Sequence, residues 1–155
     1  MRYHEIINEG RDAPLFHSTN LVAAPDIIRS DSLSDHTGQG INGKVEQGVS
    51  LTRNYFHSLK AEVIFVLDQA MMRRDGIKLS PVLCRGSKRY SPYDQDDQRG
   101  RECEEFAHGT IQHLHRYIIK IVITPKGRAF QQHLQGRSNF DGASLTPLLD
   151  HPKLA

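Results

Sequence analysis

Four short clusters carry side chains of the kinds that catalyse reactions or bind ligands. They are His17-Ser18-Thr19, Ser50-Leu51-Thr52-Arg53, residues 101–107 with the sequence Arg-Glu-Cys-Glu-Glu-Phe-Ala, and the histidines His108, His113 and His115. Taken singly, each has an ordinary structural explanation, since a strand histidine is usually structural and alternating hydroxyls are typical of a half-buried strand. Several carboxylates in a short segment usually form an exposed face, unless the segment is a strand that enters a cleft.

The glutamate cluster is informative if it forms a strand. Successive side chains of a strand point to opposite faces, so Glu105 would share a face with Cys103 and Ala107, and Glu104 would share the other with Phe106. With Phe106 in the core, Glu105 would face the opposite way, into a cleft. The alternation therefore favours Glu105 over Glu104 as a functional carboxylate.

The histidine cluster gives a weak indication of metal binding. The pair His113 and His115 would place both rings on one face of a strand, an arrangement that can bind zinc. No cysteine or carboxylate partner stands at a recognised spacing, and the sequence therefore predicts no metal site. Glycine-rich nucleotide loops, a phosphate-loop lysine and a Gly-x-Ser-x-Gly motif are also missing from the sequence.

The elements that would position these clusters follow from hydrophobic patterning. Apolar runs bounded by turn residues predict strands, and apolar residues at helical spacing predict short helices. Strands are expected near 15–19, 49–52, 62–68, 78–83, 104–107 and 116–124, and helices near 21–28, 54–60, 68–74 and 129–134. Polar loops are expected at 30–48 and 85–101. This pattern predicts an α+β domain of two small packed antiparallel or mixed sheets with a few helices.

Size and composition limit the classes of protein that the chain can belong to. Its 155 residues suit a single domain with a core of its own. The formal charge of +2 is too small to indicate nucleic-acid binding by itself, and no apolar run is long enough for a membrane span. Only two cysteines are present, Cys84 and Cys103, which favours a reducing, cytoplasmic environment over a disulfide framework.

The order of the clusters resembles that of the ADP-ribosyltransferase superfamily, and most closely its DarT-like branch. The segment Phe16-His17-Ser18-Thr19, followed by 27–33 with the sequence Ile-Ile-Arg-Ser-Asp-Ser-Leu, is similar to the opening strand and helix of that family. Glu104-Glu105-Phe106-Ala107 is similar to the family segment Arg-x-Ala-Glu-Phe-Leu-Val, which carries the catalytic glutamate. The resemblance extends over about residues 15–124.

The resemblance implies an ADP-ribosyltransferase fold around a cleft that binds NAD as a substrate. Glu105 would be the catalytic carboxylate, and Glu104 is the alternative because arginine-modifying members use a Glu-x-Glu pair, which Glu102-x-Glu104 matches. The implied NAD-binding residues fall in two groups. His17 and Thr19 would hold a ribose, with Ser18 beside them, while Ser50 and Thr52 would line the nicotinamide pocket and Arg53 would pair with pyrophosphate.

The N-terminus resembles the capsid-targeting peptides of internal head proteins from tailed phages. Those peptides are cleaved after a glutamate two residues beyond Ile or Leu, which Ile7-Asn8-Glu9 matches. This likeness implies a phage-encoded protein, packaged in the virion and delivered to the host cytoplasm; an ordinary N-terminal arm is the alternative. The expected organisation is an arm at 1–10, a transferase-like domain at 11–135 and a loosely ordered tail at 136–155.

The acceptor of ADP-ribose is expected to be a host protein or a nucleic acid. Two further interpretations stay open: an RNA 2′-phosphotransferase that also uses NAD, and a non-enzymatic virion or accessory protein with a degenerate transferase-like fold. A metal-binding module is a third, weaker possibility.

Overall fold

The computed structural model describes residues 13–39, 45–81 and 104–155. The candidate capsid-targeting peptide and the charged loop expected at 85–101 lie outside these residues. Nine strands and five α-helices are described, together with two 3₁₀ helices at Leu114–Arg116 and Gly142–Leu145. The strands are β1 Leu15–Thr19, β2 Ser32–Leu33, β3 His36–Gln39, β4 Val45–Thr52, β5 Val63–Leu67, β6 Leu79–Pro81, β7 Glu104–His108, β8 Ile111–Gln112 and β9 Ile118–Ile123. The helices are α1 Ala24–Ser30, α2 Tyr55–Ser58, α3 Gln69–Arg74, α4 Pro125–Gln135 and α5 Thr146–Leu149.

Most of the strands form one antiparallel sheet of seven strands. Its order is β6-β7-β4-β1-β5-β9, with β3 paired to β4, while β2 and β8 form a separate two-stranded sheet. The expected α+β class with antiparallel sheets and a few helices is therefore confirmed, but in place of two small sheets the described strands form one sheet of seven strands and one pair. The described helices have four to eleven residues, and none of them is long and apolar enough to cross a membrane.

The strand β5 lies at the centre of the hydrophobic core. All five of its residues are buried, which confirms the strand expected from the apolar run at 62–68. Val63, Phe65 and Leu67 face the main core, and Ile64 and Val66 face a smaller apolar cluster on the other side of the sheet. Because both faces of the sheet are covered here, the strand is apolar at every position.

The pairing of β1 with its two neighbours is unequal. It pairs with β5 along its whole length, from Leu15–Leu67 to Thr19–Val63, but with β4 only at Phe16–Thr52. Beyond that single pair β1 and β4 separate, so the sheet is open between them. This opening lies between the strands that carry His17 and Ser50, two of the residues that the sequence analysis selected.

The polar stretch at 30–48 was expected to be a loop, but its described part contains β2, β3 and the start of β4. Leu33 is buried, and β3 pairs with β4 from His36–Gly48 to Gln39–Val45. Backbone hydrogen bonds to a neighbouring strand stabilise β3 even though its side chains are polar.

The segment 136–155 was expected to be loosely ordered, and the structure corrects this. It folds into the 3₁₀ helix at Gly142–Leu145 and the helix α5, which places Leu145 and Leu148 in the main core against α1. The last residues run beside β9, where the Ala155 amide donates to the Ile121 carbonyl oxygen at 2.8 Å. A few well-spaced leucines are sufficient to anchor a segment that is otherwise polar.

We predict that Leu148→Ala lowers the free energy of unfolding by about 2–5 kcal/mol, the usual cost of a cavity left by a fully buried leucine. Leu148 is 0% exposed, whereas Val22, the control position, is 59% exposed. Val22→Ala should change stability by less than about 0.5 kcal/mol, as for most surface substitutions. Urea denaturation measures both values, and a small effect of Leu148→Ala would show that the C-terminal segment contributes little to the core.

Candidate functional site

A cavity of about 360 Å³ lies where β1 and β4 separate. This volume is within the range of about 300–1,000 Å³ typical of small-molecule sites. The residues that line it come from β1, β3, β4, α2 and the turn after α2: Phe16, His17, Ser18, His36, Ser50, Leu51, Thr52, His57, Lys60 and Ala61. Imidazoles and hydroxyls dominate its polar surface.

The structure divides the predicted NAD-binding residues between two places. His17, Ser18, Ser50 and Thr52 line the cavity, although they come from two distant parts of the sequence. Thr19 is half-buried opposite Val63 and is not among the lining residues. Arg53 comes directly after Thr52, but its side chain turns to Glu105.

His17 connects the two separated strands. A carbonyl oxygen can only accept a hydrogen bond, so His17 Nδ1 donates to the Ser50 carbonyl oxygen, 3.2 Å away. Burial lowers the pKa of His17, an effect partly offset by this hydrogen bond and reinforced by the charge of His36. The ring is therefore neutral at pH 7, and its Nε2 retains a lone pair that can accept a hydrogen bond from a ligand hydroxyl.

Three cavity residues were missed by the sequence analysis: His36, His57 and Lys60. His36 lies in a stretch expected to be a loop, and β3 brings it opposite Gly48 of β4. Glycine is required there because a Cβ at that position would clash with the Ala107 carbonyl oxygen. The only sequence signal for the two histidines was the unusual number of histidines in the chain, nine in all. That number does not identify which histidines come together in the cavity.

Glu105 lies outside this cavity, in a buried ion cluster on the main core side of the sheet. It shares a face with Ala107, as alternation predicted, but its side chain is 0% exposed. One carboxylate oxygen accepts a hydrogen bond from Arg53 Nη2, and the other lies 3.5 Å from Arg73 Nη2. The sequence analysis expected Glu105 to face an open cleft, and the structure shows that it does not. The expectation failed because both faces of β7 are covered: Phe106 is buried on one face, and Glu105 and Ala107 are buried on the other.

The backbone register places Glu104 on the other face of β7. Glu104 is directly opposite Thr52, and Glu105 is opposite Leu51. Residues directly opposite in an antiparallel pair share a face of the sheet. Glu104 therefore belongs to the face that carries the cavity residues Thr52 and Ser50. Choosing Glu104 or Glu105 as the functional carboxylate therefore means choosing between the two faces of β7.

The ion cluster joins elements that are distant in sequence. Arg73 Nε donates to Gln69 Oε1 at 3.0 Å, and Gln69 Nε2 donates to the Ala13 carbonyl oxygen at 2.8 Å, just before β1. Counted over the described residues, the cluster contains two guanidinium groups and one carboxylate. Among the described residues, Arg53 Nε is the buried side-chain atom that has no hydrogen-bond partner. An unsatisfied buried donor costs about 1–3 kcal/mol, so an acceptor at this position would be favourable.

The histidines considered for zinc have separate partners. His108 Nε2 lies 2.8 Å from the Ser80 hydroxyl, and His115 Nδ1 lies 2.6 Å from an Asp31 carboxylate oxygen. The rings of His113 and His115 are 6.4 Å apart. Within the ranges that the structure describes, no three potential metal ligands come together.

Comparisons with protein-family models, with characterised proteins and with solved structures found no match. The functional interpretation therefore depends on the geometry of the cavity and the ion cluster, and on the motif resemblance described above.

We predict that Arg53→Ala destabilises the fold because it removes one of two charges that neutralise a fully buried carboxylate. Removing one partner of a buried ion pair costs about 3–5 kcal/mol, and the remaining Arg73 should keep the loss near the lower value. Arg29 is a suitable control because its ion pair with Asp26 is exposed, at 53% and 77% for the two side chains. Arg29→Ala should cost less than about 1 kcal/mol in the same urea titration. Equal losses would show that Glu105 does not depend on Arg53.

We also predict a pH dependence that His17 contributes. Because burial lowers the pKa of His17 in the folded protein, below about pH 6.5 the unfolded chain binds a proton at this residue that the folded chain does not. The contribution of His17 to the free energy of unfolding is therefore fully present above that pH. It is lost as the pH falls toward the lowered pKa. Chemical denaturation at pH values between about 7.5 and 5 should show a smaller loss of stability in His17→Gln than in the parent protein. Parallel profiles would contradict this assignment.

Proposed function

We propose that this protein is an NAD-dependent mono-ADP-ribosyltransferase that transfers ADP-ribose to a protein or nucleic-acid acceptor and releases nicotinamide. The observation that carries this proposal is the opening between β1 and β4. It gathers His17, Ser18, Ser50 and Thr52 into one cavity. β7, which carries the glutamate pair, is the next strand beyond β4. The motif resemblance implies one cleft lined by an early-strand histidine, a Ser/Thr strand and a late-strand glutamate, and the order β7-β4-β1 brings these strands side by side.

The polar groups of the cavity suit the parts of NAD assigned to them. Neutral His17 offers its Nε2 as an acceptor for a ribose hydroxyl, and the hydroxyls of Ser50 and Thr52 can both donate and accept hydrogen bonds, as a carboxamide requires. The assignment of Arg53 to pyrophosphate rests on the motif resemblance alone, because its side chain turns to Glu105 and is not among the residues that line the cavity.

The proposed reaction exchanges one bond at the anomeric carbon of the ribose. The bond from C1′ to the nicotinamide nitrogen breaks, and its electron pair leaves with neutral nicotinamide. The acceptor nucleophile forms a new bond to C1′ and gives up its proton. Positive charge develops on the ribose as in glycoside hydrolysis, and a carboxylate beside it lowers the barrier.

The two glutamates of β7 suit different roles in this scheme. Glu104 lies opposite the cavity residue Thr52 in the backbone register, whereas Glu105 is fully buried and held by Arg53 and Arg73. We therefore retain both as candidate catalytic residues. Glu105 also has a clear structural part, because it fixes the position of Arg53 next to the cavity strand.

The complete burial of Glu105 also favours a second candidate function. A carboxylate neutralised by two arginines is a stable structural feature that needs no catalytic role. Such a cluster suits a non-enzymatic phage virion or accessory protein with a transferase-like fold. We propose this as the alternative, with the capsid or portal as its partner.

We predict that labelled NAD incubated with the protein and host lysate gives labelled acceptors, and that Glu→Gln at the catalytic position reduces the labelling. Loss of a group that stabilises transition-state charge commonly costs about 10²–10³ in rate. Glu104→Gln and Glu105→Gln should be compared with Asp26→Asn, an exposed control position. Melting temperatures separate the roles, because a catalytic position loses labelling without loss of stability. Unchanged labelling in both glutamate variants would contradict the transferase proposal.

Two further results would select the alternatives. Failure to bind NAD by calorimetry, together with firm association with capsids or portals, would select the accessory protein. NAD-dependent removal of a 2′-phosphate from RNA, retained in both glutamate variants, would select the 2′-phosphotransferase, which depends more on histidine and arginine.

A further inference from the structure

A serine and a histidine outside the cavity meet on the neighbouring strands β6 and β7. Ser80 lies in β6 and His108 is the last residue of β7, and Ser80 Oγ is 2.8 Å from His108 Nε2. Ser80 is half-buried and His108 is exposed. Neither residue lines the cavity, and the proposed transfer of ADP-ribose uses neither of them. We refer to these two side chains as the Ser-His pair.

The register of β6 and β7 explains why the two side chains meet. Ser80 is directly opposite Phe106, and the His108 amide donates to the Lys78 carbonyl oxygen at 3.0 Å. Lys78 and His108 are therefore opposite as well, and alternation places all four side chains on one face. The Phe106 ring meets the His108 ring edge-on, with 5.6 Å between their centroids. This contact restricts the imidazole to a position beside the Ser80 hydroxyl.

The geometry of the Ser-His pair is that of a nucleophile and its general base. A serine hydroxyl is a weak nucleophile until a base accepts its proton, and the two groups must lie within about 2.6–3.2 Å. With the imidazole proton on Nδ1, His108 Nε2 accepts the hydrogen bond from the Ser80 hydroxyl at 2.8 Å. The sequence lacks a Gly-x-Ser-x-Gly motif. Pairs of this kind are nevertheless recognised by geometry and not by sequence position.

We propose that Ser80 is a nucleophile that accepts acyl groups from activated carboxylic esters, with His108 as its general base. Ser80 Oγ forms a bond to the carbonyl carbon while its proton passes to His108 Nε2. The ester C–O bond breaks, its electron pair stays with the leaving oxygen, and that oxygen takes the proton from Nε2. Water then attacks the acyl-serine with the help of the same base, which releases the carboxylic acid and restores Ser80.

The surroundings of the pair favour an acyl group as the electrophile. Attack on a carbonyl carbon places negative charge on its oxygen, and a positive group nearby stabilises that charge. Lys78 is exposed and shares the face of the Ser-His pair by register, so its ammonium group is suited to this part. The step uses neither NAD nor the cavity residues. Either proposal can therefore fail without the other.

The direct test is acetylation of the full chain by p-nitrophenyl acetate, followed by release of p-nitrophenolate and located by mass spectrometry of peptides. We expect an acetyl group on Ser80. His108→Gln should slow its formation by about 10²–10⁴-fold, the usual contribution of a general base. In the parent protein the rate should rise with pH over the range in which histidines titrate, about pH 5–8, and His108→Gln should lose this dependence.

Ser80→Ala should abolish the acetylation that depends on His108. Ser30→Ala is the matched control, because Ser30 is exposed and its hydroxyl donates to the Ile27 carbonyl oxygen in place of a histidine. This control should react like the parent protein. The acetylated residue and the pH profile are both measured on the parent, so the test remains decisive even if a variant is destabilised.

Two results would overturn the proposal: acetyl groups on lysines but none on Ser80, or equal rates and pH profiles in the parent and in His108→Gln. A lower melting temperature of His108→Gln with unchanged acetylation would show that the pair is only structural, and would overturn it too. Acetylation of Ser80 in a protein that does not cleave NAD would support the Ser-His pair and contradict only the transferase proposal.

Discussion

The carboxylate of Glu105 constrains a large part of this structure because it is completely removed from water. Burying an isolated carboxylate costs several kcal/mol, so countercharges must be brought to it. Arg53 at the end of β4 and Arg73 in α3 supply them, and Arg73 is itself held by Gln69. The cluster thereby fixes β4 against β7 and positions α3 on the main core side.

The cavity depends on the neighbouring strands β1 and β4. β1 uses its backbone hydrogen bonds on β5 over five residues and keeps only one residue pair with β4, so the opening forms without breaking the sheet. His17 then bridges the gap through the Ser50 carbonyl oxygen. The ion cluster and the cavity therefore share the strand β4 and the residues that follow it. This is why adjacent residues, Thr52 and Arg53, serve different sites.

Local sequence patterns predicted the helices and strands better than they predicted which elements pack around each of them. The apolar residues of β5 and the helix α3, which begins after the capping residue Asp68, followed from the sequence because short-range physics determines them. The alternation on β7 was also correct. What alternation could not reveal was that both faces of β7 are covered, since burial depends on elements such as α3 that are remote in sequence. The C-terminal segment was misjudged for the same reason, because Leu145 and Leu148 are too few to give a periodic signal.

The distribution of charge differs between the chain as a whole and the cavity. The formal charge of the chain is only +2, which gives little long-range attraction for a polyanion. Within the cavity, however, His36, His57 and Lys60 converge from three elements without a carboxylate among the described lining residues. The local field is set by this convergence and not by the total charge.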